Sequence, residues 1–197
     1  MLDEHRAAQR ERILEVALEL LEDKGMAVLT MSSLAARAGM SRATLYHYFP
    51  DVDAVLAAWV GREMERSLDA MLADARRVSD PFERLALLVD SQVLTFSSQH
   101  HRLSAEHFES EAVAPAVRAE VERRMAPLRE LIALTIGEAQ ADAGVPERVD
   151  PGLAADLLLG LLGAARRRLV AGSVAPAEVT AALLGLLRNG WLARPGS

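Results

Sequence analysis

The chain has 197 residues, 51% hydrophobic but only 4% aromatic, with a net charge of −6 and no cysteine. That length suits one or two small domains with a real core, and the missing cysteines exclude disulfides, thiolate metal sites and a cysteine redox switch. The longest apolar run, Gly152 to Ala165, is interrupted by Asp156 and is too short to span a bilayer, and the polar start MLDEHRAAQR has no signal-peptide core, so a soluble, cytoplasmic protein is expected.

The excess of Ala and Leu favours helix. Residues 6–23 carry Ile13, Ala17, Leu20 and Leu21 on one stripe at helical spacing, with Gly25 as the stop. Thr30 caps a short helix, MSSLAARA, whose Met31, Leu34 and Ala38 share a face. Gly39 ends it, and Ser41 caps the next, RATLYHYF. Asp51 caps a fourth helix predicted to run unbroken to about Arg77. Asp80-Pro81, a cap followed by proline at the first helical position, starts a helix to about Ser98. A polar junction, SSQHHRLSAEHFESE, follows. Residues 113–143 form one long helical pattern in which Pro127 predicts a kink or break. The loop ADAGVPERVD leads to Asp150-Pro151 and a helix apolar nearly all round from Leu153 to Ala165. Gly172-Ser173 breaks that helix, and Ala175-Pro176 opens a last one to about Trp191. No strand pattern is visible, so the expected class is all-α.

The stretch SRATLYHYF (41–49) holds both tyrosines of the chain, Tyr46 and Tyr48. Two short helices joined by Ala38-Gly39-Met40 have the dimensions of a helix-turn-helix. At 100° steps, Leu45, Tyr48 and Phe49 cluster on one side of the second of these. Ala43 and His47 lie opposite, flanked by Thr44 and Tyr46, with Arg42 at the edge. Such an outer face fits a major groove. Ala43 lets the backbone approach base edges, and Arg42 has the donors for guanine or phosphate. Tyr46 and His47 have donors that reach phosphate, which fixes position rather than reading sequence. Thr30 aims its hydroxyl and the free amides of its helix start at a flanking phosphate. The alternative for Tyr46 is an ordinary half-buried tyrosine.

Charge gives this reading little help. Residues 1–49 hold 6 Lys/Arg and 7 Asp/Glu, a net −1, and residues 50–197 carry −5. Locally the balance differs: Thr30 to Phe49 contains Arg37 and Arg42 and no acid. Local charge outweighs the sum because salt screens beyond roughly 8 Å.

Residues 10–58 resemble the N-terminal domain of TetR-family (tetracycline-repressor-like) transcriptional regulators. The resemblance rests on Ile13-Leu14, Ala17, Gly25, Thr30, Leu34-Ala35, Ala38-Gly39-Met40-Ser41 and Thr44-Leu45-Tyr46-His47-Tyr48-Phe49, in order and without gaps. It implies that Thr30, Ser41, Arg42, Ala43, Thr44, Tyr46 and His47 contact DNA. It also implies a helix-turn-helix domain over residues 1–50 and a helical ligand-binding and dimerisation domain over 51–197. Two positions depart from the family pattern. Val52 stands where a phosphate-holding Lys is usual, between Asp51 and Asp53. Neutralising one phosphate fewer lowers the salt slope of binding by about one unit. Ser33 stands where an acid often completes the capping box.

A dimer places two recognition helices about 34 Å apart on successive major grooves. Leu157, Leu158, Leu161, Leu162 and Ala165, with Leu183, Leu184, Leu187 and Trp191, are the candidate dimer surface, pairing across a two-fold as a four-helix bundle. Packing inside one chain is the alternative. Arg166-Arg167-Arg168 reads as a solvated helix end. Trp59, Met71, Gln92, Thr95, Phe96, His107 and Phe108 mix apolar and polar groups as a small-molecule pocket does, although each is equally an ordinary core residue. The expected partners are a double-stranded DNA operator, a small-molecule effector and a second copy of the chain, with no membrane.

An enzyme is the first rival. The cluster His100, His101, Glu106, His107, Glu109 and Glu111 is read as a polar junction rather than a metal site, because no Glu-x-x-His or His-Glu-x-x-His occurs. A Gly-x-Ser-x-Gly elbow is also absent. No cofactor, metal or catalytic residue is therefore expected. The second rival is a helical small-molecule-binding or scaffold protein with a weakened DNA-binding module.

Overall fold

The structure is a computed structural model that describes residues 2–98, 114–142 and 149–191. Among these residues every regular element is a helix, so the fold is all-α as the sequence implies. In chain order the helices are α1 (Leu2–Lys24), a 3-10 turn (Met26–Val28), α2 (Met31–Ala38), α3 (Arg42–Tyr48) and α4 (Val52–Ala75). Then come α5 (Pro81–Ser97), α6 (Pro115–Asp142), α7 (Pro151–Val170) and α8 (Pro176–Leu186), with a π-turn, Leu187–Trp191, closing the last.

Local chemistry sets most of the boundaries. The Asp80 carboxylate accepts the Glu83 amide at 2.8 Å and the Asp150 carboxylate accepts the Leu153 amide at 2.8 Å, each with proline in the first turn that follows. Both satisfy amides that have no partner within the helix. Asp51 does the same for Ala54 at 2.7 Å. Two helices end on a left-handed glycine: Gly39 at φ 69° after α2 and Gly172 at φ 64° after α7. In each, the next amide reaches back five residues, Met40 to the Ala35 carbonyl at 3.0 Å and Ser173 to the Arg168 carbonyl at 2.9 Å. That pattern needs a positive φ, which an L side chain resists.

The sequence predicts a kink or break at Pro127, and α6 continues through it without a break. A proline inside a helix costs about 3 kcal/mol. Burial of Leu128, Ile132 and Ile136 immediately beyond it offsets that cost.

The described residues divide into two compact units. The first comprises residues 2–65 and 114–124. Its core joins Ile13, Leu14, Ala17 and Leu20 of α1 to Leu34 of α2, Leu45 and Phe49 at α3, and Val55, Leu56 and Trp59 of α4. Val117 of α6 completes it. The second comprises residues 66–98, 125–142 and 149–191. There α5 packs against α7 and α8, burying Leu85, Leu88, Val89 and Val93 with Leu158, Leu162, Leu183 and Leu187. Arg84 ties this unit together. Its guanidinium donates to the Val78 carbonyl at 2.9 Å and to Glu138 at 2.5 Å. Among the described residues no helix is long and apolar enough to cross a membrane.

Candidate nucleic-acid interface

In the first unit α1 packs on α2 and α2 on α3. Leu34 and Ala35 of α2 and Leu45 and Phe49 at α3 are all buried. Fixing one side of α3 in this way fixes what the other side shows. Ser41, Arg42, Ala43, Thr44, Tyr46 and His47 are all exposed. Tyr46 is 47% exposed. Tyr48 is partly buried against the core, as its position beside Phe49 predicts.

Thr30 caps α2 by accepting the Ser33 amide on Oγ1 at 3.1 Å. The sequence suggests that Ser33 leaves the capping box open for want of an acid. The structure corrects this: the Thr30 amide donates to Ser33 Oγ at 3.0 Å, and the Ser33 hydroxyl donates on to the Val28 carbonyl at 2.6 Å. A serine suffices here because the 3-10 turn brings the Val28 carbonyl within reach of its hydroxyl. Ser41 caps α3 in the same manner, its Oγ accepting the Thr44 amide at 3.0 Å.

The two arginines of residues 30–49 have different surroundings. Arg37 donates from Nε to Glu19 and from Nη2 to Asp23, both at 3.2 Å. Both carboxylates lie on α1, so the acid-free stretch in sequence is neutralised across the fold. Arg42 is exposed at the start of α3. Beyond α3, Asp51 is occupied as the α4 cap while Asp53 stays exposed in the first turn.

The remaining sequence-derived positions scatter. Trp59 is in the core of the first unit, whereas Met71, Gln92, Thr95 and Phe96 belong to the second. Thr95 donates its hydroxyl to the Ser91 carbonyl at 2.9 Å within its own helix. His107 and Phe108 lie outside the described residues, as does the cluster His100, His101, Glu106, His107, Glu109 and Glu111. Among the described residues no group of three or more His, Asp or Glu side chains is placed to hold a metal ion.

The leucines of the last two long helices also separate. Leu158, Leu162, Leu183 and Leu187 are buried inside the single chain and have no surface left for a partner. Leu157 and Leu161 are exposed, at 46% and 39%, and Leu153 extends the same stripe at four-residue spacing. Ala165 and Leu184 are half-buried, and the Trp191 side chain lies outside the described residues. The sequence offers nothing to separate Leu157 from Leu158 in a run apolar on every side. Leu153 and the exposed Leu186 escape notice for the same reason.

Short helices joined at a left-handed glycine, the second with a buried apolar side and an exposed polar side, constitute a helix-turn-helix. Residues 13–59 match the model of the family described as bacterial regulatory proteins, tetR family. The chain is 45% identical over 64 residues to an uncharacterized HTH-type transcriptional regulator in the dhlA 5' region of Xanthobacter autotrophicus, an alignment covering 32% of each protein. It spans between 32% and 42% of the length of the curated relatives it matches. Among solved structures, it is similar to the transcriptional regulator FadR from Bacillus subtilis in complex with stearoyl-CoA. That match has a TM-score of 0.73 at 19% identity, covering 91% of this chain and 98% of the other. A transcriptional regulator from Saccharomonospora viridis in complex with choline also matches at a TM-score of 0.73, with 22% identity and coverage of 93% and 97%. The family match lies on residues 13–59, the part of the chain that holds the helix-turn-helix.

Proposed function

We propose that the chain is a ligand-responsive transcriptional regulator that binds a palindromic operator as a homodimer, acting as a repressor released by a small molecule. The observation that carries this reading is the outer side of α3, where Arg42, Ala43, Thr44, Tyr46 and His47 are exposed around the buried Leu45. Arg42 supplies a planar fork for guanine or phosphate. Tyr46, His47, Ser41 and Thr44 supply donors for phosphate oxygens. Thr30 adds a hydroxyl beside the free amides of α2. Residues 1–50 would then form the DNA-binding domain and 51–197 the ligand-binding and dimerisation domain.

The effector site belongs to the larger helical part, with Met71, Gln92, Thr95 and Phe96 as its first candidates. Structures of the same fold hold stearoyl-CoA in one protein and choline in another. The fold therefore leaves ligand chemistry open, and both compounds are natural first probes in a thermal-shift screen. A ligand that stabilises the free protein should lower operator affinity through a coupling of about 1–3 kcal/mol.

The exposed stripe Leu153, Leu157 and Leu161 of α7, with Leu186 of α8, is the surface proposed to pair with a second copy. A second reading, a helical binding protein whose DNA module is weakened, draws support from one observation. Arg37 is neutralised by Glu19 and Asp23, leaving α2 and α3 with little positive charge.

Titration of the gene's own upstream duplex by fluorescence anisotropy separates the two. The regulator reading expects saturable binding that is lost when Arg42 and Tyr46 are changed together to alanine. Equal binding by that double variant and the parent protein would overturn it.

A further inference from the structure

Most arginines of the first unit are neutralised within it. Arg12 pairs with Glu15 and Glu19, Arg37 with Glu19 and Asp23, and Arg62 with Glu11 and Glu63. Two arginines near the start of α1 differ. Arg6 and Arg10 are exposed, and among the described residues no carboxylate pairs with either. They lie one helical turn apart and so share a face. Together with Ala7 and Tyr48 they line an open cleft of about 300 Å³. The Arg10 guanidinium sits 5.0 Å above the centre of the Phe49 ring, which holds it at the C-terminal end of α3. The only described tyrosine besides Tyr46 thus stands beside two unneutralised forks, on the flank of the exposed side of α3.

Two arginines and a phenol around an open cleft suit a singly or doubly charged oxyanion. Guanidinium matches phosphate with two parallel hydrogen bonds, and the phenol adds a neutral donor. We propose that Arg6, Arg10 and Tyr48 bind a backbone phosphate of DNA beside the groove that α3 enters. This inference rests on the DNA-binding reading above. It explains how a chain with a net charge of −6 holds duplex although Arg37 is neutralised. Positive charge comes from α1, outside the helix-turn-helix, and supplies position and affinity rather than sequence preference.

The experiment measures duplex affinity of the full chain at several salt concentrations, on the operator and on a scrambled duplex. Each neutralised phosphate contributes about 0.9 to the slope of log affinity against log salt. R6Q/R10Q should lower that slope by about one unit, and the advantage of the parent protein should shrink roughly threefold between about 50 and 200 mM salt. The loss should be equal on both duplexes. R6K/R10K should keep the slope, and R42A should instead change the preference for operator over scrambled duplex. Matching helical circular dichroism of all variants checks that they fold.

An unchanged slope in R6Q/R10Q overturns the inference, as does a loss confined to the operator. If inorganic phosphate protects the parent protein thermally and the protection vanishes in R6Q/R10Q while the duplex slope is unchanged, the cleft takes free phosphate instead, which also overturns it. Absence of duplex binding by the parent protein itself would sink the regulator reading and this inference with it.

Discussion

Thr30 and Ser33 exchange hydrogen bonds through both side chains: the Ser33 amide donates to Thr30 Oγ1 at 3.1 Å and the Thr30 amide to Ser33 Oγ at 3.0 Å. The pair closes the start of α2, the helix on which α3 rests. Removing the cap in T30A should cost about 1 kcal/mol of stability. T30S should retain most of it, because the accepting oxygen remains. Urea midpoints of the two variants test this, and equal losses in both would place the effect in the threonine methyl instead.

Gly61 of α4 faces Glu120 of α6 within the first unit. A Cβ on Gly61 would lie 2.3 Å from Glu120 Oε1 and 2.9 Å from its Cδ. Glu120 is 7% exposed and held by Arg123 and by Arg124 Nε at 2.9 Å, so it cannot simply swing away. Overpacking of this kind costs about 1–3 kcal/mol, which exceeds the gain of about 1 kcal/mol from replacing a mid-helix glycine by alanine. G61A should therefore destabilise the protein. With the carboxylate gone the sign should reverse, and G61A/E120A should be more stable than E120A. Additive effects in that double-mutant cycle would show that the two positions do not touch.

Leu45 and His47 are two residues apart on α3 with opposite fates, one fully buried and one exposed. L45A should lose about 2–5 kcal/mol. H47A should stay within about 0.5 kcal/mol of the parent, as surface changes do. Chemical denaturation distinguishes them, and a large loss in H47A would mean that the polar side of α3 is packed.

Arg129 donates to both carboxylate oxygens of Asp156, at 2.5 and 2.9 Å. These hydrogen bonds hold the Asp156 carboxyl below the ordinary aspartate range, with the positive charge of Arg129 adding to the effect. The folded state thus binds fewer protons here than the unfolded state. Stability from the pair is fully present above the unfolded value of about 3.9 and is lost as pH falls towards the folded one. Both groups face water, so salt should weaken the effect. In an NMR titration the Asp156 midpoint should lie below that of a free aspartate and rise in R129M; no difference between the two proteins would exclude the pairing.

The proposed pairing of two copies predicts that L157E/L161E shifts the chain to monomer while its thermal transition at low concentration is retained. Light scattering during size exclusion reads the mass. L158E is the contrast: burying a carboxylate in the core should unfold the second unit. A dimer that survives L157E/L161E would move the interface off this stripe of α7.

Elements were legible wherever the deciding interaction spans only a few residues. Asp80, Asp150, Ser41 and Thr30 each cap an amide three places on, so the residue type alone announces the helix start. The side of α3 that faces outward was legible too, because Leu45 and Phe49 alternate with polar neighbours at helical spacing. Pro127 does not break α6 because the local penalty is opposed by burial of residues that follow it. Arg37 looked free in its own stretch because Glu19 and Asp23 lie 18 and 14 residues away in sequence.

By itself, the sequence determined that the chain is helical, where its helices begin and stop, and that residues 41–49 form an amphipathic helix. Those outcomes depend on caps, left-handed glycines and periodicity, all forces acting within one or two turns. Only the tertiary structure decided that Leu158 is inside and Leu157 outside, that Glu120 lodges against Gly61, and that Arg6 and Arg10 meet Tyr48. Where a helix is apolar on all sides, or where cations outnumber nearby acids, periodicity and local charge carry no preference. The neighbour that packs against each residue then makes the choice.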